Sequence, residues 1–233
     1  MATRAAVVVF PGSNCDHDCE WSTREIAGWD TKMVWHKDTD LPAGIDLVLL
    51  PGGFSYGDYL RCGSIASLSP VMQAVKKFAA GGGTVIGVCN GFQILCESGL
   101  LPGALQQNRD LQFICDDTYL KVESNASRAT KQLKTGTILK IPIAHGDGNY
   151  FADEATLDRL EKNGQVLFRY CDRDGRVAAE TNPNGAARNI AGIANEAGNV
   201  IGMMPHPDRS SEAALGSTDG LKLWRSLAEG ARG

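Results

Sequence analysis

A cysteine between two glycines follows one of the most apolar segments of the chain. Residues 84–88 are typical of a buried strand, and residues 90–98 have the pattern of a helix. Gly87 and Gly91 flank Cys89, which is typical of a nucleophile elbow with cysteine in place of serine. The helix that begins at Asn90 directs its positive end at the sulfur and offers the Asn90 N–H to an oxyanion. The alternative is a core cysteine followed by an ordinary glycine turn.

A cysteine nucleophile requires a base, and the chain has four histidines. His206 follows an apolar segment over residues 200–204, so we expect it at the end of the sheet where α/β sites gather. Residues two apart in extended backbone point to the same side, which lets Asp208 orient the imidazole of His206. The sequence therefore predicts a triad of Cys89, His206 and Asp208. The alternative is a surface histidine in a proline-rich turn.

A second oxyanion donor is expected from a loop after a neighbouring strand. Residues 47–50 form another apolar segment, and Pro51, Gly52 and Gly53 follow it. Glycine turns its N–H toward a site without a Cβ in the way, so Gly53 is the predicted donor. Taken alone, a Pro-Gly-Gly sequence is more often only a turn.

Apolar segments of four to six residues alternate with helix-length segments in the first hundred residues, which predicts a parallel α/β sheet. The predicted strands are Ala5–Phe10, Thr31–Trp35, Leu47–Leu50 and Thr84–Val88, and the predicted helices are Asp16–Ala27, Ser69–Gly81 and Asn90–Ser98. From Leu111 onward the pattern is β-rich, with strands predicted over Thr118–Glu123, Thr137–Ile143, Val166–Tyr170, Ile190–Ala194 and Val200–Met204. A hairpin loop is predicted at Glu196–Asn199 and a terminal helix over Asp219–Glu229. We expect a single domain over residues 1–233, with an open, mostly parallel central sheet, helices on both faces and a β-rich C-terminal half.

Composition excludes several classes of function. The 233 residues are 43% hydrophobic and 21% charged, with a net charge of −4, which does not favour nucleic acid as a partner. No apolar run approaches the roughly 20 residues that span a bilayer, and no segment has the features of a signal peptide. Seven cysteines at scattered spacings are typical of free thiols in a reducing compartment. We expect a cytoplasmic protein with no membrane partner.

The three short motifs around Gly53, Cys89 and His206 together resemble the signatures of class I, triad-type glutamine amidotransferases. Longer segments, residues 10–16, 53–63 and 142–150, resemble the glutaminase-subunit family of phosphoribosylformylglycinamidine synthase, in purine biosynthesis. The resemblance extends from about residue 7 to residue 209. It implies the flavodoxin-like fold of class I amidotransferases.

The resemblance also implies a reaction and its partners. Cys89 would attack the side-chain amide of L-glutamine, His206 would protonate the departing ammonia, and water would hydrolyse the thioester. A synthetase subunit would use the ammonia and ATP to convert formylglycinamide ribonucleotide to formylglycinamidine ribonucleotide. ATP and magnesium are expected on that partner and no cofactor or metal on this chain, and a small accessory subunit is expected in the complex.

The resemblance extends to the substrate pocket. Gln93 matches a position that helps to hold glutamine, and Asn108 and His145 lie in segments near that pocket. One departure concerns the third triad member, because the family usually has Glu where this chain has Asp208. The side chain at that position is therefore one methylene shorter.

Two other functions and one other kind of site stay open at the level of sequence. Another cysteine hydrolase of the superfamily, peptidase- or chaperone-like, would share Cys89, but such proteins often have a histidine directly after the cysteine, where this chain has Asn90. A non-catalytic regulatory subunit could keep the fold. Cys15, His17 and Cys19 could form a metal site, although no second ligand pair follows at a zinc-like spacing and a helix start explains them more simply.

Overall fold

The computed structural model describes residues 2–232 and places nine strands in one sheet and two in a separate pair. The strands in this range are β1 (Arg4–Val9), β2 (Asp30–Trp35), β3 (Leu47–Leu50), β4 (Thr84–Val88), β5 (Ala104–Gln106), β6 (Ile114–Val122), β7 (Ile138–His145), β8 (Asn149–Phe151), β9 (Val166–Cys171), β10 (Ile190–Ala194) and β11 (Val200–Met203). The spatial order in the large sheet is β2, β1, β3, β4, β11, β10, β9, β6 and β7. Strands β5 and β8 form the small antiparallel pair.

Five neighbouring strands of the large sheet, from β2 to β11, are parallel. Every residue of β3 and β4 is buried, as expected for central strands that are apolar on both faces and covered by helices. Because the strands are parallel, the carboxyl ends of β1, β3, β4 and β11 meet at the same end of the sheet. The loops that follow these strands carry Cys15, Gly53, Cys89 and His206.

The remaining strands of the sheet are antiparallel. The predicted hairpin between the last two strands is confirmed, since β10 and β11 pair with Ile193 opposite Gly202. The expected open sheet with a β-rich C-terminal half is confirmed as well, as a mixed sheet in which the parallel strands occupy one side.

The helices in the described range are α1 (Asp16–Trp21), α2 (Val71–Ala80), α3 (Asn90–Glu97), α4 (Glu154–Lys162) and α5 (Asp219–Arg232). The predicted helix over Asp16–Ala27 is α-helical only to Trp21 and continues as a π-helical turn over Ser22–Ile26. In this turn the hydroxyl of Thr23 donates to the Cys19 carbonyl, a side-chain bond that competes with regular helical bonding.

Three elements were not predicted. Strands β5 and β8 are only three residues long, too short for an alternating pattern to be visible. Helix α4 did carry a signal, because Asp153 caps it by accepting the Thr156 N–H at 2.8 Å, and Leu157 and Leu160 lie buried on one face.

One hydrophobic core cluster contains residues from both the parallel and the antiparallel part of the sheet, such as Leu49 and Ile86 from parallel strands and Phe168 from an antiparallel strand. Trp29 and Trp224 close it near α5 with an edge-to-face contact whose centroids are 5.9 Å apart. In the part of the chain that the structure describes, no helix is long and apolar enough to cross a membrane.

Candidate active site

Cys89 occupies a strained turn between β4 and α3. Its backbone has φ 51° and ψ −107°, a conformation that L-residues rarely adopt, and its N–H donates to the Met203 carbonyl at 2.8 Å. This hydrogen bond ties the turn at Cys89 to the end of the neighbouring strand β11. The thiol is nearly buried, and its Sγ lies 3.7 Å from the Ala144 carbonyl.

The two glycines of the elbow are required by close approach of the backbone. A Cβ on Gly87 would lie 2.4 Å from the Gly91 carbonyl oxygen, and a Cβ on Gly91 would lie 2.0 Å from the Leu50 carbonyl oxygen. Both distances are far below van der Waals contact. Strand β4, helix α3 and strand β3 can therefore come together only around glycine.

His206 lies beside the elbow, immediately after β11. A Cβ on Gly52 would be 2.7 Å from His206 Cε1 and 3.3 Å from Cys89 Cβ, so the Gly52 backbone packs against both the base and the nucleophile with almost no space left. The His206 N–H donates to the Pro142 carbonyl at 2.8 Å, which fixes the backbone of the base. Its buried Nε2 has no hydrogen-bond partner among the described residues, as expected of a nitrogen that exchanges protons with a substrate.

Asp208 lies on the other side of the imidazole. Its Oδ2 is 3.4 Å from His206 Nδ1, and both side chains are buried. Burial alone lowers the pKa of His206, but the negative charges of Asp208 and of the Cys89 thiolate outweigh burial and raise this pKa to about 10. The imidazolium form of His206 is thus favoured at neutral pH, which places a positive charge beside the Cys89 sulfur.

The structure places both predicted oxyanion donors next to Cys89. Gly53 lines the same cavity as the thiol, with φ +125°, a conformation open to glycine. The Asn90 N–H is in the first turn of α3, where helical N–H groups have no intrahelical acceptor. The Asn90 side chain accepts the Ser55 N–H at 3.2 Å and donates to Gln93 Oε1 at 2.8 Å, so it joins the elbow to the loop after β3.

The three predicted substrate-binding residues have different positions. Gln93 lines the Cys89 cavity and donates to the Asp147 carbonyl at 2.7 Å. His145 also borders the cavity, but Asn108 Oδ1 accepts from its Nδ1 at 3.1 Å and Asn184 Nδ2 lies 3.4 Å from its Nε2. Asn108 is buried behind His145 and does not reach the cavity. The contribution of all three residues to glutamine binding stays a prediction.

The cavity at Cys89 is small. It measures about 70 Å³, whereas ligand pockets usually hold roughly 300 Å³ or more. A second cavity of about 370 Å³ adjoins it and shares Asp58, Cys62 and Asp147 as a common wall. A third cavity, about 570 Å³, lies near the amino ends of β3 and β4 beside Asp46 and Lys77, away from the residues predicted to carry the chemistry.

The loop between β3 and α2 is strained in several places. Tyr56, Asp58 and Leu60 all have positive φ, at 54°, 55° and 70°. The Tyr56 hydroxyl lies 2.8 Å from His36 Nδ1, which anchors the loop to the residue after β2. Left-handed conformations at bulky residues are uncommon, and they cluster at binding and switch regions.

Several site residues were missed in the sequence. Asn184 comes from a long loop after β9, and Cys15 and Arg209 meet although they are far apart in the chain. No local pattern marks such contacts. The possible metal site does not form, because Cys15 and Cys19 are buried whereas the His17 side chain is 83% exposed.

A thiol on a strained elbow, a buried imidazole, an acid and two backbone donors at one end of an open α/β sheet define a cysteine-dependent amidohydrolase of the class I amidotransferase kind. Comparison with known proteins agrees. A profile of the CobB/CobQ-like glutamine amidotransferase domain matches residues 2–223. The chain belongs to this glutamine amidotransferase family, within the group of the PurQ subunits of phosphoribosylformylglycinamidine synthase.

The similarity to that group covers almost the whole chain. A PurQ subunit from Rhodopseudomonas palustris is 57% identical over 226 residues, which are 97% of each chain. A PurQ subunit from Trichormus variabilis is 58% identical over 223 residues, which are 96% of each chain. A chain in the solved structure of PurLQS from Thermotoga maritima superposes with a TM-score of 0.85 at 42% identity, over 98% of this chain and 99% of that one.

Proposed function

We propose that this chain is the glutaminase subunit of a phosphoribosylformylglycinamidine synthase. It hydrolyses L-glutamine to glutamate and ammonia and delivers the ammonia to a synthetase subunit, which uses it with ATP to make formylglycinamidine ribonucleotide. The observation that carries the proposal is the meeting of Cys89, His206 and Gly53 at the carboxyl ends of three adjacent parallel strands, in a chain 57% identical to a PurQ subunit.

The geometry supports a two-stage reaction. The Cys89 thiolate attacks the side-chain amide carbon, and the negative oxygen that forms accepts hydrogen bonds from the N–H groups of Gly53 and Asn90. His206 gives its proton to the nitrogen as the C–N bond breaks, so ammonia leaves and a glutamyl thioester remains. His206 then takes a proton from water, which attacks the thioester and releases glutamate and the thiolate.

Because this chain would supply only the ammonia, the amination step requires partner subunits. ATP and magnesium would bind to the synthetase subunit, a small accessory subunit would complete the assembly, and the complex would work in the cytoplasm. The similarity to a chain of PurLQS over nearly its full length supports such an assembly.

Replacement of the nucleophile tests the proposal. In the assembled complex, Cys89→Ala should abolish amination with glutamine and leave amination with ammonia unchanged, because only the thiol can form the thioester. Initial rates with each nitrogen donor measure both activities. Cys115→Ala, which removes an exposed cysteine of β6, is the matched control and should change neither rate. Glutamine use by Cys89→Ala at the wild-type rate would refute the proposal.

A further inference from the structure

The segment after β1, residues 11–18, packs against the loop that carries the oxyanion donor. The Phe54 N–H donates to the Gly12 carbonyl at 2.9 Å, and a Cβ on Gly53 would lie only 2.6 Å from the Asn14 nitrogen. Cys15 continues this contact, since its Sγ would be 3.3 Å from a Cβ on Gly52. We call residues 11–18 the β1–α1 segment. It supports the backbone of Gly53, which borders the cavity at Cys89.

The same segment is tied to the turn that carries the base and the acid. Arg209 ends the 3₁₀ turn Pro207–Arg209, directly after Asp208. Its Nε donates to Asp18 Oδ2 at 3.0 Å, and its Nη2 donates to Cys15 Sγ at 3.1 Å. The opposite side of the turn is held independently, by the Ser211 hydroxyl, which donates to the Pro207 carbonyl at 2.6 Å.

The charge of Arg209 also has a place in the site. The Asp208 carboxylate is buried, and its Oδ1 has no hydrogen-bond partner among residues 2–232. A buried charge needs compensation, and Arg209 supplies a positive charge beside it in addition to His206. Burial, and then the charge of Asp208, raise the pKa of the Cys15 thiol well above its usual range, so Cys15 accepts from Arg209 as a neutral thiol.

We propose that Arg209 is a positioning residue for the glutaminase reaction: it fixes the turn of His206 and Asp208 against the β1–α1 segment that supports Gly53, and so sets the distance between base and oxyanion donor. The inference rests on the proposed function. Arg209 touches neither the nucleophile nor the cavity at Cys89; it acts through Asp208, Cys15 and Asp18. A planar guanidinium suits this role because it holds two acceptors at fixed angles.

Steady-state kinetics of the assembled complex test the inference. Arg209→Gln should lower kcat with glutamine roughly 10- to 100-fold and leave KM for glutamine within about twofold, since misplacement by about 1 Å has effects of this size and the pocket walls do not change. Arg209→Lys keeps the positive charge but has a single donor nitrogen, so it should recover part of kcat. Asp18→Asn should lower kcat less, and the double variant with Arg209→Gln should be no worse than Arg209→Gln alone.

The control is Arg176→Gln, which removes an arginine that pairs with Asp172 and Glu180 on an exposed loop and should leave kcat unchanged. Melting temperatures of the full-length variants separate positioning from loss of structure. The inference would be overturned if Arg209→Gln lowered kcat and the melting temperature and raised KM together. It would also be overturned if the effects of Arg209→Gln and Asp18→Asn on kcat were fully additive. An unchanged kcat would overturn it as well.

A readout that does not need glutamine keeps the inference distinct from the proposed function. The rate of Cys89 alkylation by iodoacetamide, followed on the Cys89 peptide by mass spectrometry, reports the thiolate fraction in the full chain. Arg209→Gln should slow it severalfold at pH 7 and Arg176→Gln should not. If the wild-type complex fails to use glutamine but this difference holds, the proposed function fails while Arg209 still positions the groups around Cys89; equal alkylation rates would overturn the positioning role itself.

Discussion

The contact between His206 and Asp208 is longer than an ordinary charge-assisted hydrogen bond. The two atoms are 3.4 Å apart, compared with about 2.7 to 2.9 Å for typical N–H donors to carboxylates. An aspartate side chain is one methylene shorter than a glutamate side chain, so its carboxylate reaches less far toward the imidazole. Asp208 therefore orients His206 mainly through its charge and less through a short directional bond.

Substitution of this acid should show a graded effect. We expect Asp208→Ala to lower kcat with glutamine roughly 100-fold, less than His206→Ala, because the imidazole loses its orienting charge while the His206 backbone N–H still donates to the Pro142 carbonyl. Asp208→Glu should retain activity, since the longer side chain shortens the contact. Initial rates of the three variants in the complex measure the order. Full activity of Asp208→Ala would assign the orienting role to another carboxylate.

His145 is a second buried histidine, and its pKa is shifted in the opposite direction from that of His206. Burial and the nearby His206 lower its pKa to about 4. Asn108 Oδ1 also accepts the Gly148 N–H at 3.0 Å, so this oxygen acts as an acceptor and His145 carries its proton on Nδ1. The neutral imidazole thus completes a buried network behind the cavity.

This burial of a neutral histidine should make stability depend on pH. Between pH 6.5 and pH 4 the unfolded chain binds a proton at His145 and the folded chain does not, so the free energy of unfolding falls as pH falls through this window. The contribution of His145 is about 3 kcal/mol, present in full above pH 6.5. Urea unfolding from pH 7 to pH 4 should show a smaller decrease for His145→Gln than for the wild type. His17→Gln, at an exposed histidine, should follow the wild type, and equal slopes for all three would contradict the effect.

Sequence predicts some site residues better than others for a physical reason. Cys89, Gly53 and His206 each follow an apolar strand within a few residues. Because parallel strands place their carboxyl ends at the same end of the sheet, the local sequence pattern is enough to predict that these residues lie close together. Arg209 and Cys15 meet through a contact between segments 194 residues apart, which depends on side-chain packing. No spacing in the sequence encodes that contact.

At the scale of elements, the strands were predicted within one or two residues where they are buried on both faces. Residues 47–50 and 84–88 are strands as expected, whereas β6 begins at Ile114, four residues before the predicted Thr118, because this part of β6 is polar and partly exposed. The position of β11 between β4 and β10 was not predictable. This position depends on which strands pair with each other in the sheet. Every strand offers the same backbone N–H and C=O groups, so the sequence does not specify which neighbour a strand pairs with.

The close packing of helix α3 against strand β3 at the nucleophile elbow can be tested by substitution of glycine. Gly91→Ala should lower the free energy of unfolding by about 3 kcal/mol or more and strongly reduce activity, because its Cβ would lie 2.0 Å from a backbone oxygen of β3 that cannot move alone. Gly99→Ala is the matched control, since Gly99 follows the same helix α3 with φ +75° and open space around it. It should cost about 1 kcal/mol through backbone strain and leave activity unchanged. Urea unfolding and glutaminase rates measure both, and equal effects would refute the steric explanation.

At the scale of the whole molecule, the proposed site contains a thiol, an imidazole and a carboxylate but leaves little room for glutamine. The cavity beside Cys89 is about 70 Å³, and the loop over residues 53–63 closes it with three strained non-glycine residues. Large apolar side chains are exposed on this loop and on the segment opposite. They are Phe54, Tyr59, Leu60, Leu111 and Phe113, and the rings of Phe54 and Phe113 are 6.3 Å apart. Exposed aromatic and aliphatic groups in one place are typical of an interface.

The isolated chain should therefore be a poor glutaminase and become a good one in complex with its synthetase. Docking on the exposed loop would move residues 53–63, enlarge the cavity and direct the Gly53 N–H into the site, so that ammonia forms only when an acceptor is present. We expect kcat/KM for glutamine to rise at least about tenfold, equivalent to about 1.4 kcal/mol, on assembly with the nucleotide-loaded synthetase. Leu60→Asp places a charge on the loop and should reduce this rise, whereas Leu215→Asp, at an exposed leucine in the turn Ala213–Leu215, should not. Equal kcat/KM for the isolated chain and the complex would mean that the loop is a rigid element and that the site is complete without the partner.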